Sequence, residues 1–261
     1  MKKILFLFTL FLSLTAFAQD EPYLIRSHEI RVEGDVAAFI DAQKTYYKAI
    51  AKDAVSRGKW AGWMCLQSVT DPNNFMFLHH FNSPEQLDNL NPMDIWSLDI
   101  PKRLGLWQPD ASAYTAIGNL TSQHVYQAVD NIMSGDPSNY WYVNLFKANS
   151  VPKFIANNDL YGKEVVKPQL GKGDNRNNWG YGIRLTNANW NLTEGMKSYN
   201  GISFDGFETL AKALRSSAYD AEAKPNKYTE SFNKKAVDMK VDDGFNEIHR
   251  TLYKVIDDTW R

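Results

Sequence analysis

Apolar residues recur along this chain in two successive copies of one pattern. At a fixed spacing of 115 residues, Val36 meets Val151, Phe39 meets Phe154, Ile40 meets Ile155, Tyr46 meets Tyr161 and Ile50 meets Val165. In the first copy, Tyr23–Arg31 alternates apolar and polar positions and predicts a strand. Gly34-Asp35 then caps a helix whose apolar positions Val36, Phe39, Ile40, Tyr47, Ile50 and Ala54 fall at three- and four-residue steps, and Arg57-Gly58 stops it. Strands are predicted at Trp60–Val69 and Phe75–Phe81, on either side of the turn Asp71-Pro72-Asn73-Asn74. Ser83-Pro84-Glu85-Gln86 reads as a capping box that opens a short helix, and His124–Asp130 is the last strand of the copy. The second copy repeats this order. Its elements are a strand at Tyr140–Lys147, a helix capped by Ser150, and strands at Trp179–Leu185 and Met196–Phe204. A second capping box at Asp205-Gly206-Phe207-Glu208 and a final strand at Thr251–Asp257 complete it. Tyr126 matches Tyr253 and Asp130 matches Asp257 in the two closing strands.

Two stretches break the repeat. Positions 91–118 hold Trp96, Trp107 and prolines at 92, 101 and 109 without a steady period, the mark of an ordered irregular insertion. Positions 219–245 are rich in Lys and Asp and predict a solvated excursion with some helix. The division is therefore 1–18 as a signal peptide, 19–134 as the first repeat and 135–261 as the second. A βαββαβ unit is the ferredoxin-like pattern, and its four-stranded sheet leaves one face uncovered. The chain resembles the dimeric α/β-barrel superfamily, with its antibiotic-biosynthesis-monooxygenase-like and NIPSNAP-like domains, as a tandem repeat. The resemblance rests on element order, a long first helix and short capped second helices. It implies an α+β fold in which two ferredoxin-like repeats pack sheet to sheet as an intramolecular barrel. Haem-handling and oxygenase activities occur in that superfamily, beside many domains without known activity, and no functional residue carries over by motif.

The ends set the compartment. Lys2 and Lys3 precede an apolar run from Ile4 to Phe17 and an A-x-A site at Ala16-Phe17-Ala18, which predicts export with cleavage near Ala18 to the periplasm or beyond. The net charge of −1 gives no basic stripe for nucleic acid, and no segment after the leader is long and apolar enough to span a membrane. Cys65, the single cysteine, cannot form an intrachain disulfide, so the core must carry the stability. Aromatic residues at 13% make such a core feasible, and the expected state is a monomer with an internal pseudo-dimer.

Candidate chemistry is sparse. Strand alternation puts Phe75, Phe77, His79 and Phe81 on one face and Met76, Leu78 and His80 on the other, so one histidine faces the helices and one faces the partner sheet. His28, on the central first strand, can neighbour either of them. An interior histidine could bind haem iron or move a proton; a structural hydrogen bond is the simpler role. No third ligand stands at a metal-binding spacing, so no metal site is expected. Trp63, Tyr142 and Trp179, with Trp60, Trp141 and Tyr181, could line an apolar cavity or simply fill the core. The leading reading is a protein that binds a small apolar or aromatic ligand between its sheets or under the Trp-rich insertion. An oxygenase or haem-handling enzyme using His79 or His80 is the alternative. A surface interaction protein with exposed Trp96 or Trp107 is the third.

Overall fold

The computed structural model describes residues 23–107, 120–172, 176–185, 199–216, 227–242 and 245–260. The first repeat comprises β1 (Leu24–Arg31), α1 (Val36–Ala42, a π turn at Gln43–Tyr47, then Lys48–Ser56), β2 (Gly62–Ser68) and β3 (Asn74–Phe81). It continues with α2 (Pro84–Asp88), α3 (Met93–Trp96), α4 (Asp99–Arg103) and β4 (Leu120–Met133). The second comprises β5 (Tyr140–Ala148), α5 (Val151–Tyr161, a π turn at Gly162–Val166, then Lys167–Gln169), β6 (Asn178–Arg184) and β7 (Gly201–Phe207). It ends with α6 (Leu210–Arg215), α7 (Lys227–Asp238) and β8 (Phe245–Asp258). The first repeat's sheet runs β2-β3-β1-β4 and the second's runs β6-β7-β5-β8, the same order twice. β2 bonds to β8 and β4 to β6, so the two sheets join edge to edge and close a barrel of eight antiparallel strands.

Closure leaves no free sheet edge, and both joins contain a register shift, at Cys65/Leu66 and at Ala128/Asp130. Such bulges sharpen strand bending and twist where a sheet must turn a corner. The pleat then sorts side chains into two layers. Ile25, Met64, Leu66, Met76, Leu78, Tyr126, Val143, Leu145, Ile202, Phe204, Tyr253 and Val255 pack together inside the barrel. Phe39, Tyr46 and Ile50 of α1 cover the outer face of the first sheet, against Trp63, Cys65, Phe75, Phe77 and Phe81. Phe154, Val166, Trp179 and Tyr181 do the same in the second.

The caps follow the chemistry of their residues. Asp35 accepts from the Ala38 N–H, Ser150 accepts from Lys153, and Ser83 accepts from Gln86 while the Gln86 carbonyl takes the Asn82 N–H. Three expectations need correction. The second short helix is capped by Thr209, because β7 runs on to Phe207 and Asp205 is a strand residue whose carboxylate binds Arg176 and Asn144. The α1 stripe buries Tyr46 more deeply than Tyr47, because the π turn adds a residue and re-phases the helix. The closing strands are longer than predicted, β4 at both ends and β8 mainly at its start. Met196, where the third strand of the second copy was placed, and the leader lie outside the described residues.

The insertions occupy equivalent places, each between the second helix of its repeat and the closing strand. Salt bridges dock the first onto α1 and its C-terminal turn: Asp53 holds both Arg57 and Arg103, and Asp94 holds Lys59. In the second, α7 packs on α5 through Phe232, Ala236 and Leu160, with Lys235 paired to Glu164.

Candidate functional site

The pleat resolves the two histidines. His79 faces the helix layer, and His80 faces the barrel interior beside Tyr23 and Trp260. His28 and His79 stack with ring centroids 5.0 Å apart, His28 also stacks on Phe77 at 4.8 Å, and Trp60 meets His79 edge-on at 4.5 Å. Trp60 reaches Trp96 at 6.1 Å, and Trp96 reaches Tyr47 at 6.0 Å. A continuous line of rings therefore runs from the first sheet, under α1, to the insertion.

At the end of this line is a cavity of about 310 Å³, lined by Tyr46 and Tyr47 of the π turn, Ile50, Ile95, Trp96, Ser97, Leu98 and Pro101. That volume suits a small ligand. The π turn brings Tyr46 and Tyr47 together, and their rings meet edge to face at 5.2 Å. At the corresponding place in the second repeat, Phe232 of α7 packs edge-on against Tyr161, the counterpart of Tyr46.

Of the candidates named from sequence, His28, His79, Phe77 and Trp63 share the outer face of the first sheet. Tyr142 and Trp179 lie on the outer face of the second, Tyr142 beneath Arg250 and Trp179 beside Tyr161. The inner core packs between the sheets, and the cavity described above lies under the Trp-rich insertion. Trp107 is fully exposed beyond it. Burial holds all four buried or half-buried histidines neutral. It takes His28 and His80 down to about 4, Arg26 adding to the effect at His28, and takes His79 well below its ordinary value, His28 adding. His79 donates to the Arg26 backbone. Its Nδ1 has no hydrogen-bond partner, nor has the Trp60 Nε1.

Sequence reasoning missed a polar cluster inside the barrel where β1 and β4 pair. The Tyr126 and Tyr199 hydroxyls bond at 2.7 Å, and Ser122 bonds to the Glu29 carboxyl. Burial pushes Glu29 up to about 7, and His124, only 1% exposed, goes down to about 4 through burial and the nearby Arg184. The inward alternation of Ser122, His124 and Tyr126, and the pairing of Tyr126 with Tyr253, were the available signals. Tyr199 precedes its strand and carries none.

Among the described residues no group of three or more His, Cys, Asp or Glu is placed to hold a metal, and no helix is long and apolar enough to cross a membrane. Haem does not fit the cavity: no imidazole lines it, since His79 stands behind Trp60 and Trp96.

No protein-family model matches the chain, and no curated protein matches it. Solved structures do. A candidate monooxygenase from Lactobacillus acidophilus superposes with a TM-score of 0.54 at 9% identity, over 91% of this chain and 96% of the other. An anthrone oxidase-like protein gives 0.52 at 12% identity, over 92% and 93%. A candidate monooxygenase from Fusobacterium nucleatum gives 0.51 at 12% identity, over 91% and 94%. With the strand order above, these likenesses show the fold to be a closed α/β barrel of two ferredoxin-like halves. This chain carries both halves of the barrel in one polypeptide.

Proposed function

We propose that this protein binds a small, flat, largely apolar ligand in the cavity between α1 and the first insertion. One observation carries the reading. Two insertions cover equivalent places on the two repeats; in one α7 packs against α5, and the other leaves about 310 Å³ walled by Tyr46, Tyr47 and Trp96. The cleft opens to solvent beside Trp96 and Leu98, and its concave, largely apolar and aromatic lining is the kind of surface that takes small apolar ligands. The basic start and A-x-A site support an exported protein, and barrel closure within one chain supports a monomer. A second reading is an oxygenase acting on an aromatic substrate in the same cavity, and the fold shared with candidate monooxygenases and an anthrone oxidase-like protein supports it.

Equilibrium dialysis against naphthalene tests the cavity. Binding should weaken at least tenfold in Tyr47→Ala, which removes a ring wall worth roughly 1.5 kcal/mol or more. Wild-type protein that binds no naphthalene, or a Tyr47→Ala variant that binds it equally well, would sink the reading. Oxygen consumption with a bound aromatic hydroxyl compound separates the second reading from the first.

A further inference from the structure

The two repeats carry the same three-residue constellation under their helix layers, built from different chemistry. In the first sheet, His28 pairs with Phe77 and Arg26 with His79; in the second, Asn144 pairs with Ser203 and Tyr142 with Asp205. β3 ends at Phe81 two residues before the Ser83 cap, and β7 ends at Phe207 two residues before the Thr209 cap. Trp60 stands two residues before β2, and Arg176 two residues before β6. His28, His79 and Trp60 therefore occupy the positions of Asn144, Asp205 and Arg176.

In the second repeat the constellation holds itself together with hydrogen bonds and an ion pair, although the Asn144 Oδ1 has no partner. Arg176 pairs with Asp205 and donates to the Tyr161 hydroxyl at 3.0 Å, while the Asn144 amide donates to Asp205 at 2.8 Å and to Ser203 at 3.0 Å. In the first repeat it does not. Trp60 is 1% exposed and its Nε1–H has no acceptor; His79 is 3% exposed and its Nδ1 has no partner. The other His79 nitrogen donates to the Arg26 backbone, so in the neutral ring Nδ1 is an acceptor. A buried donor and a buried acceptor thus stand in rings 4.5 Å apart, each costly to leave unmade.

We infer that Trp60 and His79 form the polar seat of the ligand site and that the ligand is an aromatic hydroxyl compound. A phenolic hydroxyl supplies what both groups lack: its oxygen accepts from Trp60 Nε1–H and its proton goes to His79 Nδ1. Trp96 joins the seat to the cavity. It lines the cavity, contacts Trp60 and is 46% exposed, so turning this one side chain outward extends the cavity to the seat. The inference rests on the cavity being a ligand site, and the probes separate the two ideas.

Dialysis compares naphthalene, 1-naphthol and 1-methoxynaphthalene on wild type, His79→Phe and Trp60→Phe, with thermal melts confirming that each variant folds. 1-Naphthol should bind roughly tenfold tighter than naphthalene, the worth of one or two hydrogen bonds to otherwise unsatisfied groups. 1-Methoxynaphthalene, which accepts but cannot donate, should lose most of that preference. Both variants should show no preference for 1-naphthol over naphthalene. Naphthalene binding without discrimination, or discrimination that survives in both variants, would overturn the seat while leaving the cavity reading intact. Binding of no probe would overturn both.

Discussion

At the scale of single residues, the molecule shows one backbone position solved two ways. Asp205 is buried and holds Arg176 and Asn144, whereas its counterpart His79 is buried, neutral, stacked on His28 and met edge-on by Trp60. A buried ion pair is costly to break from one side, because the surviving charge keeps its desolvation penalty. Asp205→Ala should therefore lose about 3–5 kcal/mol in urea denaturation, while Arg176→Met with Asp205→Leu should lose much less than the two single changes summed. Additive losses would mean that the pair is not coupled. The sequence hid this pair: Asp205-Gly206-Phe207-Glu208 has the form of a capping box, and only the course of β7 shows that the carboxylate is used elsewhere. His79 and His80 were more legible, since the two-residue period puts them on opposite faces. Which face was the inner one awaited closure of the barrel.

Among elements, the duplicated order of strands and helices could be read directly, because each copy repeats its apolar stripe and its cap chemistry. The cavity could not. It depends on how α3 and α4 dock on α1, and that docking depends on contacts between residues far apart in sequence. Asp53 is the central one: Arg57 binds it within the helix, and Arg103 reaches it from α4 with Nη2 2.7 Å from Oδ1. Asp53→Ala removes both partners at once and should free α4 without unfolding the barrel, whose strands do not involve it. Trypsin should then cut at Lys102 or Arg103 roughly tenfold faster than in wild type, reflecting local opening. Naphthalene affinity should fall in parallel, since Pro101 and Leu98 belong to the cavity wall. Faster cleavage with unchanged affinity would detach the cavity from the docking. The π turn was equally invisible to a reading at three- and four-residue steps, although it is what brings Tyr46 and Tyr47 together.

The whole molecule has a predictable response to acid, because burial rather than pairing governs its histidines. His28, His80 and His124 sit at about 4 and burial holds His79 well below its ordinary value, whereas in the unfolded chain each titrates near 6.5. Between pH 6.5 and 4.5 the unfolded chain therefore binds four protons that the folded one refuses, and stability falls as the pH falls. Glu29 acts in the opposite sense. Its folded value of about 7 lies above its unfolded value near 4.5, so its contribution is complete below pH 4.5 and is lost as the pH rises to 7. In the shared window the net difference reaches about three protons, and the histidines still outweigh Glu29 at pH 7, where about a quarter of each unfolded ring remains charged. Stability should thus fall steeply from pH 6.5 towards pH 4.5 and level off above pH 7. Urea midpoints measured from pH 4.5 to 8 should trace this shape, with His80→Gln and His124→Gln together removing about two protons from the acid slope. A flat profile, or one that rises on acidification, would mean that these rings are solvated in the folded state. It would also remove the reason to treat the unmet nitrogens of Trp60 and His79 as a seat, because water would already occupy it.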